Sequence, residues 1–120
     1  MRIAISSEGM DLTSKVDPRF GRAKYFIIYD TETKEMEVVG NEQNFQAAQG
    51  AGVQSAQNVA RLDVQVVISG NLGPKAFMTL SAAGIKAALW ADGTVSQAIE
   101  LIESGQLKPT DGANVRGHWM

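Results

Sequence analysis

Apolar positions along this chain fall in short blocks, and their spacing changes near the middle. Ile3, Ala4 and Ile5 run together within Arg2 to Ser6, a run without alternation that predicts a short strand buried on both faces. Ser7 to about Lys24 carries glycines, polar residues and Pro18 and is expected to be a long loop. Tyr25-Phe26-Ile27-Ile28-Tyr29 is aromatic and β-branched throughout, the strongest strand signal in the chain. Asp30 to Lys34 reads as a turn, and Glu35 to Val39 alternates like a half-exposed strand. Together they predict an antiparallel hairpin whose second strand is charged enough to stand at an edge.

From Ala47 to Leu62 the spacing becomes helical. Ala48, Ala51, Gly52, Ser55, Ala56, Val59 and Ala60 form a thin face of small residues, opposite Gln54, Gln57, Asn58 and Arg61. Val64 to Ile68 reads as a buried strand. Gly73-Pro74 opens a second helix, with Ala76, Phe77 and Leu80 facing inward and Gly84 stopping it. Ile85 to Trp90 is the next strand. Thr94 and Gln97 have capping-box spacing ahead of Val95, Ala98, Ile99 and Ile102, and Gly105 ends that helix. The order β-β-β-α-β-α-β-α needs right-handed crossovers in its second half and one antiparallel strand from the hairpin. The prediction is an α/β sandwich of three layers, with a five-stranded mixed sheet in order 3-2-1-4-5 and strand 2 antiparallel. Ligands of such sheets bind beyond the carboxyl ends of the parallel strands, where the strand order reverses. That crevice would be walled by Ser6-Ser7, the long loop, and Ser69 to Gly73. The loop is expected to be its least packed part, free to move when cargo is transferred.

Composition narrows the chemistry. One hundred and twenty residues suit one domain, placed at residues 1–107, with 108–120 expected to be a loosely structured tail because Leu107 to Met120 has no period. Eleven basic against thirteen acidic residues give a net charge of −2, which speaks against bulk capture of nucleic acid. No apolar run reaches the length of a membrane span, and a cytoplasmic location is expected. Cysteine is absent and histidine occurs once, as His118. Thiolate-ligated clusters, disulfides and conventional zinc sites are thereby excluded. Serine rather than a carboxylate ends the first strand, which disfavours a two-metal nuclease, and a lone histidine in the tail disfavours a serine hydrolase.

Four segments carry a resemblance when read in order: Asp17-Pro18-Arg19-Phe20-Gly21-Arg22-Ala23, Gly50-Ala51-Gly52-Val53-Gln54, Gly70-Asn71-Leu72-Gly73-Pro74 and Ala83-Gly84-Ile85. Together they are similar to the dinitrogenase iron–molybdenum cofactor biosynthesis family, over Met1 to about Leu107. The resemblance implies a ribonuclease-H-like fold. It also implies a non-enzymatic carrier of a molybdenum-containing metal–sulfur cluster, since the family includes nitrogenase accessory carriers of iron–molybdenum precursors and a sulfate-reducer carrier of a molybdenum–copper sulfide cluster. Some members place a cysteine or core histidine near the cluster. This chain has neither, which favours a cluster held by its own sulfides, of the molybdenum–copper type. MinD-like ATPases and cluster donor or acceptor proteins are the implied partners. The rival readings are a nucleotide- or phosphate-responsive interaction domain and a scaffold docking such an ATPase.

The resemblance implies cofactor-binding roles for Ser6, Ser7, Arg19, Phe20, Gly21, Arg22, Lys24, Gly50, Gly52, Asn71, Leu72, Gly73 and Pro74. Each has a structural alternative. Lys15, Arg19, Arg22 and Lys24 against Asp17 give Lys15–Lys24 a local charge of +3, and guanidinium forks suit a bulky, weakly hydrated anion. The alternative is that an arginine pins the loop through a carboxylate while Phe20 packs underneath. Amides opening the helix after Gly73 favour anions; otherwise this is an ordinary strand-to-helix turn. Gly50-Ala51-Gly52 lacks the context of a dinucleotide fingerprint and fits close helix packing better. Met10, Met36, Met78 and Trp90 could offer soft contacts, although Met36 and Met78 are expected in the core. His118 and Trp119 could fold over a cluster, with His118 the one candidate metal ligand.

Overall fold

The unalternating Ile3-Ala4-Ile5 block forms the middle of the central strand, β1 (Arg2–Ser7), in a computed structural model that describes residues 1–41 and 50–111. β2 (Tyr25–Asp30) and β3 (Met36–Gly40) complete the hairpin; α1 (Gly50–Ala60), β4 (Val66–Ser69), α2 (Pro74–Ala82), β5 (Lys86–Leu89) and α3 (Val95–Glu103) follow. The sheet order is β3-β2-β1-β4-β5. β1 runs antiparallel to β2, with Ile5 opposite Ile27, and parallel to β4, with Ile5 opposite Ile68. β2 and β3 are antiparallel, and β4 and β5 are parallel. This is the predicted topology, with β2 the strand that runs against the rest.

Both faces of the sheet are covered, which is why its inner strands show no alternation. Ala4, Phe26, Ile28 and Val67 pack with Ala56, Val59, Phe77 and Leu80 of α1 and α2. Ile3, Ile5, Ile27, Val66 and Ile68 pack with Val95, Ala98, Ile99 and Ile102 of α3. Small residues bring α1 close to its neighbour: a side chain at Gly52 would begin 3.6 Å from the Ala76 Cβ of α2. At the start of α3 the Thr94 hydroxyl accepts from the Gln97 N–H at 3.2 Å, and Gln97 Oε1 accepts from the Thr94 N–H at 2.8 Å. The capping box is formed.

Several expectations need correction. β4 begins at Val66 rather than Val64, because Asp63 turns the chain at φ 55° and Gln65 Oε1 caps the N–H of Arg2. β3 is displaced by one residue from the predicted bounds, and β5 is shorter than predicted by one residue at each end. The Ala47–Gln49 start of the predicted helix lies outside the described residues. Met36 and Met78 are exposed, as is Met10, because the edge strand and the outer face of α2 point them away from both cores.

The Ser7–Lys24 connection is stitched down rather than loosely packed. The Glu8 N–H donates to the Lys15 carbonyl at 3.0 Å, and the Asp17 N–H donates to the Ser6 carbonyl at 2.8 Å. The N–H groups of Val16, Val95 and Ser96 bind the carbonyls of Gly93, Ser14 and Leu12. Val16, Phe20 and Ala23 are buried, and Phe20 lies against Phe26 with ring centroids 5.3 Å apart. Such a segment does not swing as a free flap. In the described part of the tail, Thr110 and Ala87 exchange both backbone hydrogen bonds, at 2.8 and 2.9 Å, and so cover part of the β5 edge; 112–120 lie outside the described residues.

Candidate functional site

The carboxyl end of β1 is a polar knot beneath the long loop. The Ser6 hydroxyl donates to the Asp17 carbonyl at 2.7 Å and lies 2.8 Å from the Ser69 hydroxyl at the end of β4. The Ser7 hydroxyl donates to the Gly9 carbonyl at 2.7 Å. Ser6, Ser7 and Ser69 are each fully buried. The Ser6 and Ser69 hydroxyls hold the Asp17 carbonyl against the two strand ends, the Ser7 hydroxyl is taken up by Gly9, and none of the three offers surface to a ligand. Gly70 is small because the Pro18 backbone crosses over it: an added Cβ would meet Pro18 Cα at 2.7 Å and Ala91 Cβ at 2.9 Å.

Asp17 is the anchor of the turn that follows. Its carboxylate accepts from the Arg19 N–H at 2.9 Å, while the Arg19 guanidinium stands 3.8 Å away by Nε and is 69% exposed. The backbone is what the carboxylate holds; the guanidinium is left facing solvent. A 3-10 turn, Phe20–Arg22, follows, with Phe20 as its inward wedge, only 1% exposed. Phe20, expected among the cofactor contacts, packs inward and is not among the residues that line the cavity beside this turn. With Phe20 pointing inward, Arg19 and Arg22 are exposed on the same turn, and Lys24 is exposed next to the start of β2.

The result is a cavity of about 340 Å³ lined, among the described residues, by Glu8, Asp17, Arg19, Arg22 and Lys24. Its size lies within the range of small-molecule sites. Three expected site residues are brought together there. Lys15 is not among its lining; it pairs through its backbone with Thr94. Gly21 belongs to the turn behind the cavity, where its carbonyl lies 3.5 Å from the Ser55 hydroxyl of α1.

The loop after β4 touches this turn from the other side. Arg19 and Asn71 form a parallel bridge, and the Phe20 N–H donates to the Asn71 carbonyl at 3.4 Å. Asn71, Gly73 and Pro74 are exposed while Leu72 is buried. The long loop therefore fills the crevice between β1 and β4, and the cationic cavity and the α2 start flank it. Gly73 is the N-cap of α2 at φ −68° without a side-chain cap, with open space around it. Gly50 is exposed at φ 80°, and Gly52 faces Ala76, the packing role that the small-residue pattern favoured. His118 lies outside the described residues.

Three residues were missed. Glu8 lines the cavity, and its place just past the end of a parallel strand was the signal that could have found it. Asp17 lies in the Asp17–Ala23 segment, where the sequence shows its charge and not its place as an anchor. Asn41 had no signal. It is buried at the end of β3, and its amide donates to the Ala23 carbonyl and the Ser55 hydroxyl, each at 2.9 Å. Asn58 donates to its side-chain oxygen at 3.2 Å, and its own N–H binds the Lys24 carbonyl at 2.9 Å. Asn41 thereby locks the Arg22–Lys24 segment to α1. Among the described residues, no group of three or more His, Cys, Asp or Glu side chains could hold a metal ion, and no helix is long and apolar enough to cross a membrane.

Comparison with known proteins agrees with this architecture. The apo form of the orange protein from Desulfovibrio gigas is 41% identical, with a TM-score of 0.85, over 91% of this chain and 92% of that one. A NifB-like Thermotoga protein solved by NMR is 44% identical, with a TM-score of 0.76, over 90% and 91% of the two chains. An uncharacterized protein of Methanocaldococcus jannaschii is 28% identical over 111 residues, 90% of each chain. The dinitrogenase iron–molybdenum cofactor family matches residues 1–105. Sheet order and this match agree: the chain belongs to the dinitrogenase iron–molybdenum cofactor family, a family of cofactor-binding or carrier type.

Proposed function

We propose that the protein is a non-enzymatic carrier of an anionic, molybdenum-containing metal–sulfur cluster, held without covalent bonds beside the Arg19–Lys24 turn. The observation that carries this reading is the cavity lined by Arg19, Arg22 and Lys24 in a chain with no cysteine. Without thiolates the protein cannot complete the coordination of iron in the usual way. It can balance the charge of a cluster whose metals are already saturated by sulfide, so a molybdenum–copper sulfide is favoured over an iron–molybdenum precursor. Guanidinium groups donate from a fixed fork and are weakly hydrated, which suits diffuse anionic sulfide surfaces. The exposed start of α2 at Gly73-Pro74, bridged to Arg19 through Asn71, supplies further amide donors beside the same turn.

The test is reconstitution with tetrathiomolybdate and a copper salt, followed by metal analysis and visible absorption of the desalted protein. Retained molybdenum with a charge-transfer band is expected. Replacing Arg19, Arg22 and Lys24 together with Gln should release it while thermal stability holds, because all three side chains are exposed. Unchanged retention in that variant would remove the cavity from the reading. Retention of a nucleotide in place of metal by the purified protein would favour a nucleotide-responsive interaction domain. A complex with a MinD-like ATPase would add a partner to the carrier.

A further inference from the structure

The Glu8 side chain makes none of the bonds described above that hold the loop, yet it lines the cationic cavity. It follows β1 directly, its backbone N–H is bound to the Lys15 carbonyl at 3.0 Å, and its side chain is exposed. Among the described residues its carboxylate has no ion-pair partner. Asp17, the other carboxylate of the cavity, is buried and occupied by the Arg19 N–H. Among the described residues, Glu8 is therefore the one solvent-facing negative charge set among Arg19, Arg22 and Lys24.

We propose that Glu8 limits the affinity of this cavity for anions, keeping a bound anionic cluster exchangeable. The inference rests on the carrier reading given above. Among the described residues, three cations and two carboxylates leave the cavity lining at +1; without Glu8 they would leave it at +2. The attraction felt by a guest scales with that local charge and with the charge of the guest, so a multiply charged anion feels the carboxylate most. For a carrier that must release what it holds, a site of submaximal charge is useful. A storage site would have no need of the carboxylate.

The experiment titrates the full chain with tetrathiomolybdate, read by absorption, at about 0.01 M salt, where charges act over about 30 Å, and at about 1 M, where they act over about 3 Å. Glu8→Gln should bind about tenfold tighter than the parent chain in low salt, and the advantage should disappear in high salt. Glu8→Asp, which keeps the charge, should bind like the parent. Glu37→Gln makes the same change in net charge on the exposed outer strand and should alter affinity less than about twofold at low salt, where long-range charge effects are strongest. Equal affinity in Glu8→Gln and the parent overturns the proposal, as does equal tightening in Glu37→Gln or in Glu8→Asp. If the Arg19, Arg22 and Lys24 variant weakens binding while Glu8→Gln changes nothing, the affinity-limiting role fails and the carrier site stands. If that triple variant binds normally, the site itself is misplaced and both readings fall.

Discussion

At the scale of single residues, the two glycines of the loop after β4 serve opposite purposes. Gly70 lies where the Pro18 backbone passes 2.7 Å from the position of its absent Cβ, so Gly70→Ala forces the β1–β2 connection outward. It should cost about 1–3 kcal/mol, the usual range for overpacking, measured by urea unfolding. Gly73→Ala adds a methyl into open space at an ordinary φ of −68° and should stay within about 0.5 kcal/mol of the parent. Asp30 offers a pH test. The N–H groups of Glu32 and Thr33 hold its carboxylate charged and its pKa below the ordinary 3.8. A depressed pKa contributes stability that is present above 3.8 and is lost as pH falls through the folded value. The parent should therefore lose more stability than Asp30→Asn on acidification from pH about 5 to about 2. Parallel losses in the two chains would show that the turn does not depend on this charge.

Among elements, one buried side chain, Asn41, helps to couple the long loop to α1. Asn41 satisfies the Ala23 carbonyl, the Ser55 hydroxyl and the Asn58 amide at once. Asn41→Leu would remove three side-chain hydrogen bonds at a buried position and should cost about 1–3 kcal/mol. It should also weaken anion binding, because Arg22 and Lys24 flank the carbonyl that Asn41 holds. An unchanged affinity in a destabilised but folded Asn41→Leu would show that the cations find their places without this latch. At the other edge of the sheet, Thr110 protects Ala87 by a reciprocal pair of backbone bonds. Ending the chain after Leu107 removes both bonds and should lower stability by about 1–2 kcal/mol. Ending it after Asp111 keeps the pair and should be nearly neutral.

For the whole molecule, the charge balance sets the expected behaviour toward anions. The chain carries −2 overall while the cavity lining is positive, so attraction is local and falls off within the screening length. Cluster retention should therefore weaken steeply with salt in the parent and only slightly in the Arg19, Arg22 and Lys24 variant. The chain ended after Asp111 lacks His118 and should still retain the cluster, if sulfide rather than protein atoms completes the metals. Its loss there, reproduced by His118→Ala in the full chain, would assign the tail a ligand.

The order of elements and the sheet topology were legible in the sequence because each rests on local pattern. Unbroken apolar runs mark strands covered on both faces, small residues at helical spacing mark close helices, and handed crossovers leave few ways to arrange them. The Thr94–Gln97 capping box and the wedge role open to Phe20 were legible for the same reason. The site was legible only as a charged segment. Which of its residues meet in one cavity depends on how a connection of some seventeen residues is folded back on the sheet, and that is decided by distant partners. Asp17 is held by Ser6 and Ser69, Pro18 by the gap over Gly70, and Ala23 by Asn41. Buried polar groups must find partners wherever the chain brings them, and no period along the sequence records those pairings. Tertiary structure alone therefore turned Ser6 and Ser7 inward, set Glu8 among the cations, and covered part of the β5 edge with Thr110.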